Sequence, residues 1–255
     1  MPRALITGAS AGIGAQFARQ LAADGYDLVL VARGVERMHA LGDELTAAHG
    51  ITYEVMAADL SQREDISRIE ERLRSTEQSI DVLVNNAGFG TTQRFTGGDL
   101  TAEQEMLDVL VTSVLRLTHA ALPGMQERGR GGVIIVSSVA GWMPGGTYSA
   151  AKAWATTFAE SVAGEVKRHG VRVMALCPGY TVTEFHARAG IDGDAVPRFM
   201  WLDVRSLVSS ALRDFRSGRV VSTPSIRYKL LGWLMRSVPR SVMRAANVGL
   251  AGRRR

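Results

Sequence analysis

The sequence predicts a doubly wound α/β fold, in which helices cover both faces of a parallel sheet. Three observations support this: seven short apolar runs recur along the chain, a helical pattern follows each of them, and no linker or repeat divides the 255 residues. Strands that are apolar throughout belong in a sheet buried on both sides, and helical crossovers keep neighbouring strands parallel. The expected strands are residues 4–7, 27–32, 52–57, 80–85, 133–137, 171–176 and 219–222.

Length and composition are those of one globular domain with a large core. The chain is 46% hydrophobic and 22% charged, and a single α/β sheet with its helices reaches this size. Its one cysteine, Cys177, excludes an internal disulfide and a cysteine-based metal cluster and fits a reducing compartment. The N-terminus lacks a secretion signal and no apolar run approaches membrane-spanning length, so we expect a cytoplasmic protein.

The basic charge of the chain is concentrated near its C-terminus. The whole chain carries a net charge of +5, but twelve basic residues and a single acid lie between Arg205 and Arg255. This pattern does not indicate a nucleic-acid-binding protein with a uniformly basic surface. In residues 224–255, basic residues are interleaved with Leu, Trp and Met, so we expect a helical extension beyond a main domain of residues 1–223. The extension could lie on an anionic membrane surface, or pack on the main domain or on another subunit.

A glycine-rich turn joins the first strand to the first helix. Thr7 is followed by Gly8, Gly12 and Gly14, and a helix is expected from about residue 13 to residue 24. At such a junction the backbone can approach a pyrophosphate, and the N–H groups and dipole of the helix face its negative charge. Gly8 is assigned to the tight turn, Gly12 to the close approach and Gly14 to helix packing. A plain tight turn is the alternative.

The end of the second strand bears on which dinucleotide would bind. An acidic residue there would bond the ribose hydroxyls of NAD, whereas this chain has Ala32 and Arg33, with Arg37 one turn later. Arginine side chains accommodate a 2′-phosphate, so NADP(H) is the predicted cofactor. The alternative is that both arginines are simply solvated at the start of a surface helix.

Tyr148 and Lys152 are four residues apart in a helical pattern that follows Ser138. Side chains at this spacing lie on one face of a helix. A neighbouring ammonium favours the phenolate, so we expect Lys152 to lower the pKa of Tyr148 and make the phenol a usable acid or base. An ordinary amphipathic helix meets the same spacing, and the surrounding motifs must distinguish the two interpretations.

Together these motifs resemble those of the classical short-chain dehydrogenases/reductases, of the ketoacyl and hydroxysteroid reductase type. The resemblance covers residues 1 to about 200. It implies a Rossmann-type sheet of about seven strands in the order 3-2-1-4-5-6-7, a nicotinamide cofactor, hydride transfer between the cofactor and a carbonyl or alcohol, and a homodimer or homotetramer. The motifs that carry it are the turn from Thr7 to Gly14, Asn85-Asn86-Ala87-Gly88, Ser138, Tyr148 with Lys152, and Pro178-Gly179 followed by Thr183.

The resemblance also implies roles for the matching residues. Tyr148 is the acid/base, Lys152 lowers its pKa and bonds the nicotinamide ribose, and Ser138 holds the substrate oxygen. Asp59 approaches the adenine, and Thr183 meets the nicotinamide amide. The expected cofactor contacts are Gly8, Ser10, Gly12, Ile13, Gly14, Arg33, Asp59, Leu60, Asn86, Ala87, Gly88, Tyr148, Lys152, Pro178, Gly179 and Thr183.

The chain departs from the family pattern in its proton supply. Leu110 stands where the family usually has an Asn that supports a water chain to the active-site Lys. Proton delivery to Lys152 would then pass through Thr112 or Ser113, or be slower. Ile135 also stands where the family often has another Asn.

A second departure concerns the serine. Ser138 and Tyr148 are ten positions apart, which is a shorter spacing than the family usually has. The loop between them, residues 142–146, is correspondingly short. Whether Ser138 or Ser137 reaches the substrate stays open at this point.

The substrate is expected to be a hydrophobic ketone or secondary alcohol, such as a long acyl chain or a steroid. A lid at about residues 184–203 carries Met and aromatic side chains, and an apolar lining suits such a molecule. The same residues could instead pack the lid on the core. The residues concerned are Phe185, Phe199, Met200 and Trp201, with Trp142, Met143 and Tyr180 expected nearby.

Two further expectations concern function. An NADP(H)-binding sensor or scaffold with little turnover is the alternative to a reductase, and Leu110 is its one sequence argument. No metal site is expected, because histidines are scattered along the chain and ordinary surface or partly packed positions suit them better than a ligand cluster. The histidines considered, four of the five in the chain, are His49, His119, His169 and His186.

Overall fold

Seven parallel strands form one sheet in the order β3-β2-β1-β4-β5-β6-β7 in the computed structural model, which confirms the predicted fold class. The structure describes residues 1–91, 93–184 and 196–238, with the backbone alone at Arg236 and Ser237. The predicted strand at residues 219–222 is reduced to two residues. The strands are β1 (Arg3–Thr7), β2 (Asp27–Ala32), β3 (Tyr53–Ala57), β4 (Val82–Asn85), β5 (Gly131–Val136), β6 (Val171–Leu176) and β7 (Val221–Ser222).

Helices connect the strands and cover both faces of the sheet. A single-turn π-helix at Asp108–Thr112 joins α4 to α5, and short 3₁₀ helices lie at Val139–Trp142, Lys167–His169 and Arg198–Met200. The α-helices are α1 (Gly12–Ala23), α2 (Val35–His49), α3 (Arg63–Arg74), α4 (Leu100–Leu107), α5 (Ser113–Glu127), α6 (Gly146–Val166), α7 (Val204–Arg216) and α8 (Ile226–Ser237).

The core has two halves because successive strand side chains point to opposite faces of the sheet. Leu5 and Val133 pack on one face with residues of α3, α5 and α6. Their neighbours Ile6 and Ile134 pack on the other face with residues of α1, α2 and α7. The continuous apolar strands seen in the sequence are explained by this double burial.

The helical run Leu100–Glu127 is, among the described residues, the one long and apolar enough to cross a membrane by length and composition. The expectation that no run approaches that length is therefore wrong. Half of its most apolar window is buried, and Leu117, Ala121 and Met125 pack against the sheet. The apolar face of this run is thus used as the buried face of a core helix.

Side-chain caps start two of the helices, α4 and α7. Asp99 accepts a hydrogen bond from the backbone N–H of Thr101 at the start of α4, and Asp203 accepts one from that of Ser206 at the start of α7. Each cap satisfies a backbone donor that the helix itself leaves unpaired.

Candidate active site

A cleft of about 460 Å³ lies at the carboxyl ends of the strands, a size typical of sites for small molecules and cofactors. It opens where the chain order of the sheet reverses, between β1 and β4, which is where α/β sheets bind ligands. Of the predicted site residues, Gly14 alone does not line it. Those that do are Gly8, Ser10, Gly12, Ile13, Arg33, Asp59, Leu60, Asn86, Ala87, Gly88, Ser138, Tyr148, Lys152, Pro178, Gly179 and Thr183.

Thr7, at the end of β1, connects the glycine-rich turn to the segment after β4. Its hydroxyl accepts hydrogen bonds from the backbone N–H groups of Asn86 at 2.9 Å and Ala87 at 3.0 Å. The side-chain amide of Asn86 in turn donates to the Thr7 carbonyl at 2.9 Å. These bonds bring the two predicted motifs together, although 79 positions separate Thr7 from Asn86.

Gly8 and Gly14 are needed at their positions for different structural reasons. Gly8 has φ of +66°, a left-handed conformation that glycine adopts without a steric cost. Gly14 was assigned to helix packing and was also among the expected cofactor contacts, and it does not line the cleft. A Cβ on Gly14 would lie 2.3 Å from the carbonyl oxygen of Gly8, so this glycine lets α1 pack beneath the turn and lies off the surface of the cleft.

The N-terminus of α1 fits the pyrophosphate of a dinucleotide. No side chain caps this helix, and Gly12 and Ile13 of its first turn line the cleft. Gly12 has φ of +57°, and a Cβ there would lie 3.3 Å from the Cβ of Thr183. Uncapped backbone donors at a helix N-terminus attract negative charge.

Arg33 and Arg37 both line the cleft beyond β2, and each faces a carboxylate there. Arg33 Nη1 lies 3.7 Å from an Asp59 carboxylate oxygen, and Arg37 Nη1 lies 3.1 Å from one of Glu184. Burial raises the pKa of Asp59, but hydrogen bonds from Ser61 and the Arg33 guanidinium outweigh this and leave that pKa below its usual value. Two exposed cations at this position fit a 2′-phosphate.

Tyr148 and Lys152 lie in the first two turns of α6, as the spacing predicts. The Lys152 ammonium nitrogen lies 5.7 Å from the centroid of the Tyr148 ring. Lys152 is only 5% exposed, and its Nζ donates a hydrogen bond of 2.7 Å to the carbonyl oxygen of Val136 at the end of β5. That carbonyl was not predicted as part of the site, because a backbone acceptor leaves no signal in the sequence.

The pKa of Tyr148 corrects one expectation. Burial raises this pKa to about 12, and the hydrogen bond with Ser138 opposes the rise. The prediction that Lys152 lowers the pKa of Tyr148 is therefore wrong for this structure. Burial also lowers the pKa of Lys152 to about 8, because a buried ammonium loses its solvation.

The two serines after β5 face different partners. The Ser138 side chain hydrogen-bonds that of Tyr148, and its oxygen accepts from the N–H of Ala140 at 3.1 Å. Ser137 points to α6 instead, where its hydroxyl donates to the Lys152 carbonyl at 2.6 Å. Of the two alternatives, Ser138 is thus the one that lies beside the phenol.

Leu110 lies in the π-helical turn and is 1% exposed. It packs so near Gly88 that a Cβ on Gly88 would be 2.8 Å from the Leu110 Cδ2. Of the two residues suggested for an alternative relay, Thr112 donates to Asp108 at 3.1 Å, and Ser113 donates to the Val109 carbonyl at 2.7 Å. Both hydroxyls are directed to their own helix.

Tyr228 of α8 is a residue of this region that sequence reasoning missed. Its hydroxyl accepts from the backbone N–H of Tyr180 at 3.0 Å and donates to the carbonyl of Met200 at 2.9 Å. These bonds fix the loop that carries Gly179 and Thr183 past the cleft. No local motif marks a tyrosine 48 positions away from the loop that it holds.

The predicted apolar residues that the structure describes do not line the cleft. The rings of Tyr180 and Trp201 are 5.7 Å apart, and Met143 and Phe199 are exposed. Phe185, His186 and the rest of residues 185–195 of the expected lid lie outside the described residues. Within the described ranges, no group of three His, Cys, Asp or Glu side chains could hold a metal ion.

Comparison with known proteins agrees with this geometry. The family model described as short chain dehydrogenase matches residues 2–192. A very-long-chain 3-oxoacyl-CoA reductase of Anas platyrhynchos is 35% identical over 190 residues, which are 71% of this chain and 60% of that protein. The chain thus spans about three fifths of the length of this curated relative.

Two solved structures cover almost the whole chain. A short-chain dehydrogenase from Sphingobium yanoikuyae in complex with NADPH has 33% identity and a TM-score of 0.84, covering 94% of this chain and 97% of that one. The bulky-bulky ketone specific alcohol dehydrogenase from Comamonas testosteroni has 31% identity and a TM-score of 0.81, covering 94% and 96%. With the matching family model, the sheet order and the cleft, these similarities show that the chain belongs to the short-chain dehydrogenase family.

Proposed function

We propose that this protein is an NADPH-dependent oxidoreductase that reduces the ketone of a hydrophobic substrate, or oxidises the corresponding secondary alcohol. The observation that carries the proposal is the convergence of Ser138, Tyr148 and Lys152 at one end of a cleft. The rest of that cleft has the glycine turn, the uncapped helix and the two arginines that suit a dinucleotide phosphate.

In the reductive direction the phenol of Tyr148 gives its proton to the carbonyl oxygen, which becomes the alcohol oxygen. A bound nicotinamide dinucleotide supplies the hydride to the carbonyl carbon. A phenol with a pKa of about 12 holds its proton at neutral pH, so Tyr148 is in the form that a proton donor requires.

Ser138 and Lys152 stabilise the negative charge that develops on the substrate oxygen. Ser138 already hydrogen-bonds Tyr148 and can share the same oxygen. Lys152 lies beneath the ring with its ammonium group 5.7 Å from the ring centroid. A fixed donor and a fixed cation in a buried site act as preorganised electrostatic stabilisation.

The preference for NADP(H) rests on Arg33 and Arg37. Both side chains line the cleft at the end of β2, where a dinucleotide presents its adenosine ribose. The carboxylates near them, Asp59 and Glu184, lie on other segments. No acidic residue therefore stands directly after β2, where it would favour NAD. NADPH and NADP are also the ligands named for similar solved structures, including the Sphingobium yanoikuyae dehydrogenase.

A hydrophobic substrate is supported by the surroundings of the site and by the similar proteins. Exposed Met143, Tyr180 and Phe199 lie on the segments that follow Ser138 and Gly179. The names of two relatives specify a very-long-chain 3-oxoacyl-CoA and bulky ketones. An acyl-chain or steroid-like ketone fits this combination. We further propose a cytoplasmic homodimer or homotetramer that acts without a metal or nucleic acid partner.

NADPH oxidation with a panel of ketones and aldehydes of rising chain length tests the function. We expect turnover that increases with apolar chain length and that Tyr148→Phe abolishes. NADPH affinity, measured by titration, should be nearly the same in both proteins. If the wild type binds NADPH tightly but turns over no faster than Tyr148→Phe, the chain is a cofactor-binding sensor or scaffold and the reductase proposal is wrong.

A further inference from the structure

We propose that the outward face of α8 docks the protein on an anionic lipid bilayer. This face, here called the α8 face, consists of Ile226, Leu230, Trp233 and Leu234. Their side chains are 69%, 62%, 70% and 53% exposed. Four large apolar side chains exposed together on one short helix are unusual for a surface in contact with water alone.

The inner side of α8 determines which side faces out. Tyr228 is 1% exposed and is hydrogen-bonded to the backbone on either side of the cleft loop. Gly232 lies against Trp142, whose ring would be 2.8 Å from a Cβ at that position. The helix therefore cannot rotate to bury its apolar face. One side packs on the domain, as one of the sequence alternatives expects, and the other side is exposed.

The charges around the α8 face select an anionic occupant. Arg227 and Lys229 are exposed and flank the apolar residues on the two sides of the helix. Asp214, the one acid from Arg205 to the C-terminus, is already paired with Arg219 at 3.2 Å. An apolar stripe with Trp and Leu between basic flanks is the pattern of a helix that lies in a membrane interface.

A second copy of the chain fits this face less well. A two-fold interface built on α8 would bring the same patch of both copies together. The basic flanks of one copy would then meet those of the other, and like charges repel. A bilayer with acidic headgroups offers the opposite charge and an apolar layer for the side chains.

Docking there would also bring the substrate end of the site to the lipid. Trp142, on which Gly232 packs, ends the 3₁₀ helix that begins directly after Ser138. Arg227 hydrogen-bonds the carbonyl of Phe199, whose side chain is 62% exposed. This link to a lipid substrate rests on the proposed function, whereas the docking itself does not.

Vesicle co-sedimentation of the full chain tests the proposal. We compare vesicles of phosphatidylcholine alone with vesicles that also contain phosphatidylserine. The variant replaces Leu230 and Trp233 by serine, and Leu100→Ser is the matched control because Leu100 is 74% exposed on α4, away from the cleft. Unchanged thermal unfolding of all three proteins shows that the substitutions act at the surface.

Wild type and Leu100→Ser should sediment with phosphatidylserine vesicles, and the double variant should bind at least about tenfold more weakly. Tryptophan fluorescence should shift to the blue with wild type and much less with Trp233→Phe. Equal sedimentation of the double variant would assign binding to charge alone and overturn the proposal. The proposal would also be overturned if the wild type sedimented with neither kind of vesicle. The same holds if the wild type formed an oligomer that the double variant does not form.

The result can be separated from that for the proposed function. Sedimentation needs no turnover, and reduction of a small water-soluble ketone needs no vesicle. Protein that sediments but reduces no ketone contradicts the proposed function alone. Protein that reduces the soluble ketone but binds no vesicle contradicts the docking alone.

Discussion

The ring of Tyr228 lies directly on Gly179: a Cβ built on Gly179 would be 2.0 Å from the Cζ of Tyr228 and 2.1 Å from its Cε2. No side chain can occupy that space, so the glycine beside the cofactor cleft is required by an aromatic ring from the C-terminal helix. The loop from Gly179 to Thr183 and α8 therefore form one structural unit. Two of our predictions follow from this contact.

Gly179→Ala should lower the free energy of unfolding by about 1–3 kcal/mol, because the new methyl group overpacks a filled space. The measurement is urea-induced unfolding. Gly164→Ala is the matched control: nothing lies within 4 Å of its Cβ position inside α6, so we expect a gain of about 0.5–1 kcal/mol there. In a Tyr228→Ala background the cost of Gly179→Ala should largely disappear, and additive effects of the two substitutions would contradict the contact.

Tyr228→Phe keeps the ring and removes the hydroxyl that holds two backbone groups. The N–H of Tyr180 and the carbonyl of Met200 lose their partner, which should cost about 1–3 kcal/mol of unfolding free energy. The loosened loop borders the cofactor, so the KM for NADPH should rise more than kcat falls. If kcat fell while the KM for NADPH stayed unchanged, Tyr228 would not position the loop through its hydroxyl.

The fold was predictable because its signals are local. Apolar runs such as residues 27–32 and 171–176 coincide with β2 and β6, since strands buried on both faces leave a continuous pattern. The motifs of the site were recognised in the sequence from local patterns and from the family resemblance, and the parallel strands bring them to one edge of the sheet. Thr7 and Asn86 thus come together through topology rather than through sequence proximity.

The parts that were missed depend on packing between distant segments. The pKa of Tyr148 was expected to fall because Lys152 is nearby, but burial raises it, and the hydrogen bond with Ser138 is what opposes the rise. Burial depends on the entire fold and cannot be read from a spacing of four residues. The same holds for Tyr228, whose partners lie in two other segments, and for the Val136 carbonyl that receives Lys152.

The arginines provide a test of cofactor choice. Arg33→Ala and Arg37→Ala should each lower kcat/KM for NADPH by roughly tenfold to a hundredfold, since one charge-assisted hydrogen bond to a phosphate is lost. The value for NADH should change little. Arg68→Ala, an exposed arginine on α3 paired with Asp65, is the control. NADH used as well as NADPH by the wild type would remove the case for a 2′-phosphate site.

Glu184→Gln extends the same test. Glu184 now holds Arg37 at 3.1 Å, so a phosphate would have to compete with it for the guanidinium. Without that carboxylate, Arg37 is available to the phosphate, and the Kd of NADPH should fall severalfold while the Kd of NADH stays level. Equal changes for both cofactors in the titration would assign Glu184 to another role.

The pH dependence of the reaction should reveal the buried lysine. At neutral pH Lys152, with its pKa lowered to about 8, is mostly cationic, and Tyr148, with its pKa raised to about 12, is protonated. This is the state required for ketone reduction. As the pH rises through about 8, Lys152 loses the charge that stabilises the developing alkoxide, whereas Tyr148 keeps its proton.

We therefore expect kcat/KM for ketone reduction to be level below pH 7 and to fall about tenfold per pH unit well above pH 8, as for one essential ionisation. Lys152→Arg serves as the comparison, because a guanidinium stays charged throughout this range. That variant should be slower at every pH but show no alkaline decline. A wild-type profile that remains level to pH 10, measured under the same conditions, would mean that the charge of Lys152 is not lost near pH 8 in the working complex.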